Sequence, residues 1–164
     1  MSQLALYGSG IVFGFIAWGI VTAQYIWPEL ARRSRADALR PLLTLHCFRF
    51  LGLAFLVPGV VAPELSGDFA RPAGYGDLIA AILAMLALAA GLKTRLGILL
   101  VWVFNLWGTA DLLYAFYQGN HVDLRPGQLG ATYFIVTALV PLLLITHGLV
   151  FRLLLRGSAG TTTT

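Results

Sequence analysis

Long apolar blocks, interrupted only by short polar connections, are the feature of this 164-residue sequence that most limits its fold. A soluble protein would scatter its apolar residues among polar ones with the period of a strand or a helix. Here 59% of the residues are apolar, 11% are charged and the mean hydropathy is +0.82. So few charges cannot cover a water-exposed surface. We therefore expect an all-α integral membrane protein.

Five blocks are long enough, or nearly so, to cross a bilayer, which takes roughly 20 residues of helix. We predict five transmembrane helices, over residues 4–27, 42–62, 77–92, 96–118 and 131–155. The third and fourth should form an antiparallel hairpin through the tight connection at Lys93, Thr94 and Arg95. The first block is longer than the core of a signal peptide, so we expect it to be retained. The chain reads as one domain, residues 1–156, with a mobile polar tail over 157–164.

The basic residues predict the orientation of this bundle. Eight of them fall in connections on one side of the five-span arrangement: Arg32, Arg33, Arg35, Arg40, Lys93, Arg95, Arg152 and Arg156. The other side holds only Arg71 and Arg125. The positive-inside rule then places the N-terminus outside and the C-terminus inside, as fits a multi-pass protein of a bacterial inner membrane. We expect residues 28–41 to be a solvated loop on the inner side, and residues 63–76 and 119–130 to be outer loops.

The net charge of +4 is explained by this topology, so nucleic acid is not an expected partner. The single cysteine, Cys47, excludes an intramolecular disulfide. No Cys, His and carboxylate cluster has the spacing of a zinc site, and no nucleotide-binding or nucleophile motif occurs. Gly10 and Gly14 form a G-x-x-x-G pattern in the first helix, which favours close packing within the chain.

Polar residues within the apolar blocks are the candidates for function, because each needs a partner or a water-filled cavity at membrane depth. At about 1.5 Å per residue, four of them reach one level in the inner half of the bilayer. These four are His46, Arg49, Asn105 and His147. The same arithmetic puts Asp111 in the outer half with Asp77, about 22 Å above the inner boundary. We predict a ligand-binding pocket lined by the four residues and Asp111.

Several roles for these side chains remain open. Arg49 can pair with Asp111, or bond Asn105 and helix carbonyls, and so join helices without any chemistry. Its fork of donors also suits an anionic headgroup, substrate or cofactor propionate. His46 and His147, at similar depth on different helices, have the placement of two ligands to a b-type haem.

Part of the chain is similar to the DoxX-like superfamily of small bacterial membrane proteins. The similarity lies in FRFLGLAFLVPGVV, residues 48–61, and GDLIAAILAMLALAAGLKTRLGILLVWVFN, residues 76–105. It implies a compact four-helix core with one further helix packed on it, and contact with a quinone or a membrane redox system. His46, Asp111 and the flanking helices depart from the pattern.

Together these features predict a small inner-membrane protein that binds a small hydrophobic or amphipathic molecule, or a redox cofactor such as haem b or quinone. Its partners would be the lipid bilayer, that ligand, and a membrane redox protein or further copies of itself. One alternative is an enzyme, an isomerase or oxidoreductase on a lipid-soluble substrate, with Asp111 or a histidine as acid or base. A transporter or channel component is another, and purely structural polar contacts are a fourth.

Overall fold

The computed structural model describes residues 2–156, and these residues form helices with no β-strand among them. Five of the helices are long and apolar enough to cross a membrane, as predicted. They are α1 (Gln3–Ala31), α2 (Arg35–Leu56), α3 (Gly67–Ala90), α4 (Arg95–His121) and α5 (Ile135–Leu155). A short helical turn, Pro126–Thr132, lies between α4 and α5. The predicted tail, residues 157–164, lies outside the described residues.

Hydroxyl side chains begin four of the long helices. Ser2, Ser34, Ser66 and Thr94 each accept a hydrogen bond from a backbone N–H of the first turn that follows. Such a cap satisfies one of the donors that a helix start leaves without a partner. Between α3 and α4, Gly91 adopts φ 84°, which ends α3 and turns the chain directly into the Thr94 cap. The predicted α3–α4 hairpin is therefore present.

Two predicted connections prove to be helical. Residues 28–41 are not a loop, because α1 continues to Ala31 and α2 begins at Arg35. Glu29 supports this end of α1 by pairing with Arg32 at 2.9 Å and Arg33 at 2.8 Å, as neighbours three and four apart on a helix do. The inner connection is therefore only three residues long.

The start of α3 also differs from the prediction, because Pro72 lies inside the helix and does not precede it. A proline here removes the N–H that would donate a hydrogen bond to the carbonyl of Asp68. The side chain of Gln118 on α4 replaces it, donating from Nε2 to that carbonyl at 3.2 Å. In contrast, α2 stops at Leu56, earlier than predicted, and winds as a 3-10 helix from Cys47 onward.

Helix α1 lies on the outside of a core formed by α2, α3, α4 and α5, and it packs along α5. A Cβ at Gly14 would collide with the carbonyl of Thr137, and one at Gly10 would lie 3.2 Å from the Thr137 methyl group. Trp18 adds a hydrogen bond of 2.9 Å from Nε1 to the carbonyl of Ala138. The G-x-x-x-G pattern therefore packs within the chain, as predicted.

Candidate functional site

Arg49 lies in the middle of the helical core, with 1% of its surface exposed. Its guanidinium donates from Nε to Asp77 Oδ1 at 2.7 Å and from Nη2 to Asp111 Oδ2 at 2.6 Å. A charge removed from water needs such partners to be tolerated. Since the arginine comes from α2 and the carboxylates from α3 and α4, these two ion pairs join three helices at one point.

The remaining contacts of Arg49 add α5 to the group and fix the state of a histidine. Nη1 donates to the carbonyl of Gly108 at 3.2 Å and to His147 Nε2 at 3.1 Å. Because arginine has only donors, His147 Nε2 must be unprotonated. Nδ1 of His147 therefore carries the proton and donates to Asn105 Oδ1 at 2.7 Å. His147 is thus a neutral imidazole in a single tautomer.

His46 is fully buried beside this network. Its Nε2 lies 3.0 Å from the hydroxyl of Thr146, which itself bonds carbonyls of the preceding turn of α5. A hydroxyl has one proton, so His46 Nε2–H is the donor to the Thr146 oxygen. The His46 ring also lies 4.3 Å from that of His147 and 4.9 Å from that of Phe104, measured between centroids. His46 therefore positions His147 through ring contact.

Three glycines, one each on α2, α3 and α4, give the network its space. A Cβ at Gly52 would overlap the carboxylate of Asp77, and one at Gly76 would overlap that of Asp111. A Cβ at Gly108 would lie 2.6 Å from Arg49 Nη1 and 2.6 Å from His147 Cε1. Only glycine lets the backbone approach charged groups this closely.

The structure brings together all five residues that the sequence marked as candidates: His46, Arg49, Asn105, Asp111 and His147. It corrects the prediction that Asp111 and Asp77 form a separate outer group, because both bond Arg49. The prediction compared heights of backbone positions, whereas the charged end of a long arginine side chain lies far from its Cα. The signal for Asp77 was present, since a buried arginine needs carboxylates and the apolar blocks offer few.

Haem ligation by His46 and His147 does not fit this arrangement. The two rings are already in contact, which leaves no room for a porphyrin between them. Both nitrogens of His147 are used in hydrogen bonds, to Arg49 and Asn105, so His147 has none free for iron. His46 Nε2 bonds Thr146, and its buried Nδ1 alone has no partner. Axial ligation needs a free imidazole nitrogen aimed at the iron. Within residues 2–156, no group of three or more His, Cys, Asp or Glu side chains is placed to hold a metal ion.

A mainly apolar cavity of about 100 Å³ adjoins the carboxylates of Asp77 and Asp111. One aromatic ring from each of α1 to α4 lines it: Tyr7, Phe55, Phe69 and Phe116. Its rim includes Leu4 and Asn120, which are exposed, so the cavity opens at the end of the bundle where α1 begins and α4 ends. The remaining residues of the network do not line it: His46, Arg49, Asn105 and His147. The network around Arg49 therefore borders the cavity only through the carboxylates of Asp77 and Asp111.

Asp111 also borders a second space, an open cleft on the side of the bundle between α3 and α4. Tyr75, Ile79 and Trp107 line this cleft, and Trp107 Nε1 donates to the carbonyl of Gly76 at 3.3 Å. Asp111 thus lies between the cavity and the lateral cleft.

Residues 6–155 match the family described as a domain of unknown function, DUF8737. No curated protein and no solved structure matches the chain. The match includes residues of all five long helices, so the whole bundle is the unit that the family shares.

Proposed function

Since the chain belongs to the DUF8737 family, whose description assigns no function, we propose its role from its site: it binds a small hydrophobic or amphipathic molecule. The observation that supports this is the aromatic cavity with Asp77 and Asp111 at its polar end. Ligand sites in proteins are typically apolar clefts with a few convergent polar groups. The walls would hold the ligand's apolar body, and the carboxylates its polar head.

We place this site within a bacterial inner membrane, with the N-terminus outside and the C-terminus inside. Many apolar side chains of the five long helices are exposed, for example Leu4, Phe13 and Leu99 at 67%, 69% and 59%, which suits contact with lipid. The guanidinium of Arg152 lies 3.8 Å from the ring centre of Trp27, so the last turns of α5 and α1 share one end of the bundle. That end carries the basic connections, which supports its inner position.

Cysteine labelling tests the orientation. In a Cys47→Ala background, Asp123→Cys would place a thiol in the outer connection, and Lys93→Cys in the α3–α4 turn. With intact cells, a membrane-impermeant maleimide should label the first variant and not the second, because both positions are exposed and only their side differs. The reverse pattern would invert the proposed topology.

The DoxX-like resemblance supports a more specific setting, in which the protein is a subunit of a membrane redox system and the ligand is a quinone. The hydroxyl groups of a reduced quinone can donate hydrogen bonds to the carboxylates of Asp77 and Asp111. Haem is not part of this proposal, since the two histidines do not fit it.

The position of Asp111 favours two alternatives. In an enzyme acting on a lipid-soluble substrate, Asp111 would be the acid or base because its carboxylate lines the cavity, with Arg49 stabilising its charge. The histidines are less suited, because they do not reach the cavity. In a transporter component, a ligand would pass Asp111 between the cavity and the lateral cleft. Substrate turnover that is lost in Asp111→Asn would identify the enzyme. Ligand flux across liposome membranes would identify the transporter component.

Filling the cavity tests the binding proposal. Ala115 on α4 lines the cavity and does not contact Arg49, so Ala115→Phe should exclude the ligand while leaving the ion pairs in place. The measurement is native mass spectrometry of small molecules that co-purify with protein in lipid nanodiscs. Ala17→Phe, at an exposed position of α1, is the matched control. A co-purified molecule retained by Ala115→Phe would exclude this cavity as the binding site.

A further inference from the structure

The charges around Arg49 do not balance. Two carboxylates, Asp77 and Asp111, share this one guanidinium, and the side chains of the two are 9% and 10% exposed. His147 adds no positive charge, because its hydrogen bonds hold it neutral. With both carboxylates ionised, the group therefore carries one net negative charge. Burying an uncompensated charge is strongly unfavourable, and a proton on one of the carboxyl groups would remove it.

The surroundings offer this charge little other compensation. Besides Arg49, the titratable or charged groups that face Asp111 or the rest of the network come from all five long helices: Tyr7, His46, Arg71, Tyr75, Asp77, Tyr114 and His147. Arg71 borders only the lateral cleft, on an exposed position. Among the described residues that line the aromatic cavity there is no Lys, Arg or His. A second ionised carboxylate would therefore meet no positive charge on the cavity side.

The walls of the cavity match a positively charged ligand. Tyr7, Phe55, Phe69 and Phe116 present aromatic rings from four helices, and the faces of such rings attract ammonium groups. The rings of Phe55 and Phe69 meet edge to face, with centroids 5.5 Å apart. A cavity of roughly 150 Å³ encloses benzene, so the observed volume of about 100 Å³ limits the ligand to a single ring that extends through the open rim.

We propose that the cavity takes a small lipophilic cation, of the arylalkylammonium class, in exchange for a proton. This inference rests on the proposed binding function and specifies its ligand as a cation in place of the quinone. The ammonium group bonds Asp111 and Asp77, and its positive charge replaces that of the carboxyl proton. One cation enters and one proton leaves to solvent, so the buried group remains neutral in both states and no bond within the protein is broken.

The test uses three probes of matched shape: 2-phenylethylammonium, 2-phenylethanol and phenylacetate. Binding is measured by titration calorimetry, with the protein in nanodiscs of uncharged phosphatidylcholine so that surface charge does not concentrate any probe. We expect the ammonium to bind at least about tenfold more tightly than the alcohol, because a hydrogen bond between two charged groups is stronger than one from a neutral hydroxyl. Phenylacetate should bind weakest.

Proton release gives a second readout that needs no variant. Titrations in two buffers with different ionisation enthalpies should show about one proton released per cation, in the pH range where a carboxyl group is still protonated. Within that range, affinity for the ammonium should rise about tenfold per pH unit. Asp111→Asn should abolish the preference for the cation and the proton release. Asp123→Asn, in an exposed position, should change neither.

The outcomes separate the inference from the proposal beneath it. If 2-phenylethanol binds as tightly as the ammonium, or cation binding releases no proton, the exchange is wrong while the binding site stands. If none of the three probes binds the wild-type protein, the exchange is wrong, and the co-purification experiment with Ala115→Phe then decides the proposed function separately. A cation preference that Ala115→Phe leaves intact would place the cation elsewhere and overturn the assignment to this cavity.

Discussion

Arg49→Leu should strongly destabilise the helical core. It leaves the carboxylates of Asp77 and Asp111 without their shared cation, in a setting where each is about nine-tenths buried. Removing one partner of a buried ion pair typically costs about 3–5 kcal/mol. At about 2–4 °C per kcal/mol for a chain of this size, the melting temperature should fall by roughly 6–20 °C.

Thermal unfolding in detergent, followed by tryptophan fluorescence, measures this effect. Arg71→Leu is the matched control, since Arg71 is exposed and such surface changes usually stay within about 0.5 kcal/mol. The triple variant Arg49→Leu, Asp77→Asn, Asp111→Asn should regain much of the lost stability, because it removes the guanidinium and both carboxyl groups together. An Arg49→Leu protein as stable as the wild type would show that the ion pairs do not hold the helices together.

Gly108→Ala should also destabilise the protein clearly, although it adds a single methyl group. That group would lie 2.6 Å from Arg49 Nη1 and 2.6 Å from His147 Cε1, so the backbone of α4 or both side chains must move. Overpacking of this kind costs about 1–3 kcal/mol. The displacement should also weaken the hydrogen bond between Arg49 and His147.

Gly148→Ala provides a control on α5, where a Cβ would meet nothing within 4 Å. Alanine is more favourable than glycine in a helix by roughly 0.5–1 kcal/mol, so this variant should be slightly more stable than the wild type. The two glycine variants therefore predict shifts of opposite sign in the same melting experiment. Equal shifts would contradict the role assigned to Gly108.

The five helices could be predicted because their signal is local. Each depends on a run of apolar residues, and Gly91 with Thr94 marks the turn between α3 and α4 in the sequence itself. The start of α3 could not be predicted this way. A proline such as Pro72 normally argues against a helix interior. Here the helix tolerates it because Gln118, 50 positions after Asp68, donates a hydrogen bond to the Asp68 carbonyl.

The site, too, could be predicted only in part. That Arg49 needs a carboxylate follows from the cost of a buried charge, and Asp111 was recognised as a possible partner on that ground. Which carboxylates reach it depends on how α2, α3 and α4 are rotated about their axes, and periodicity alone does not give that rotation. The glycines at 52, 76 and 108 are equally invisible as a set, because they are far apart in sequence and meet only around the folded network.

The partners of Arg49 bear on how the chain is made. Its side-chain partners lie 28, 62 and 98 positions later in the sequence, so α2 reaches the membrane before the helices that carry them. An arginine near the middle of a lone helix opposes entry into lipid by about 2.5–3.5 kcal/mol on insertion scales. In the proposed topology, α2 would therefore wait at the translocon until α3 delivers Asp77. The two helices would then enter the bilayer as a neutral pair, before α4 arrives with the second acid.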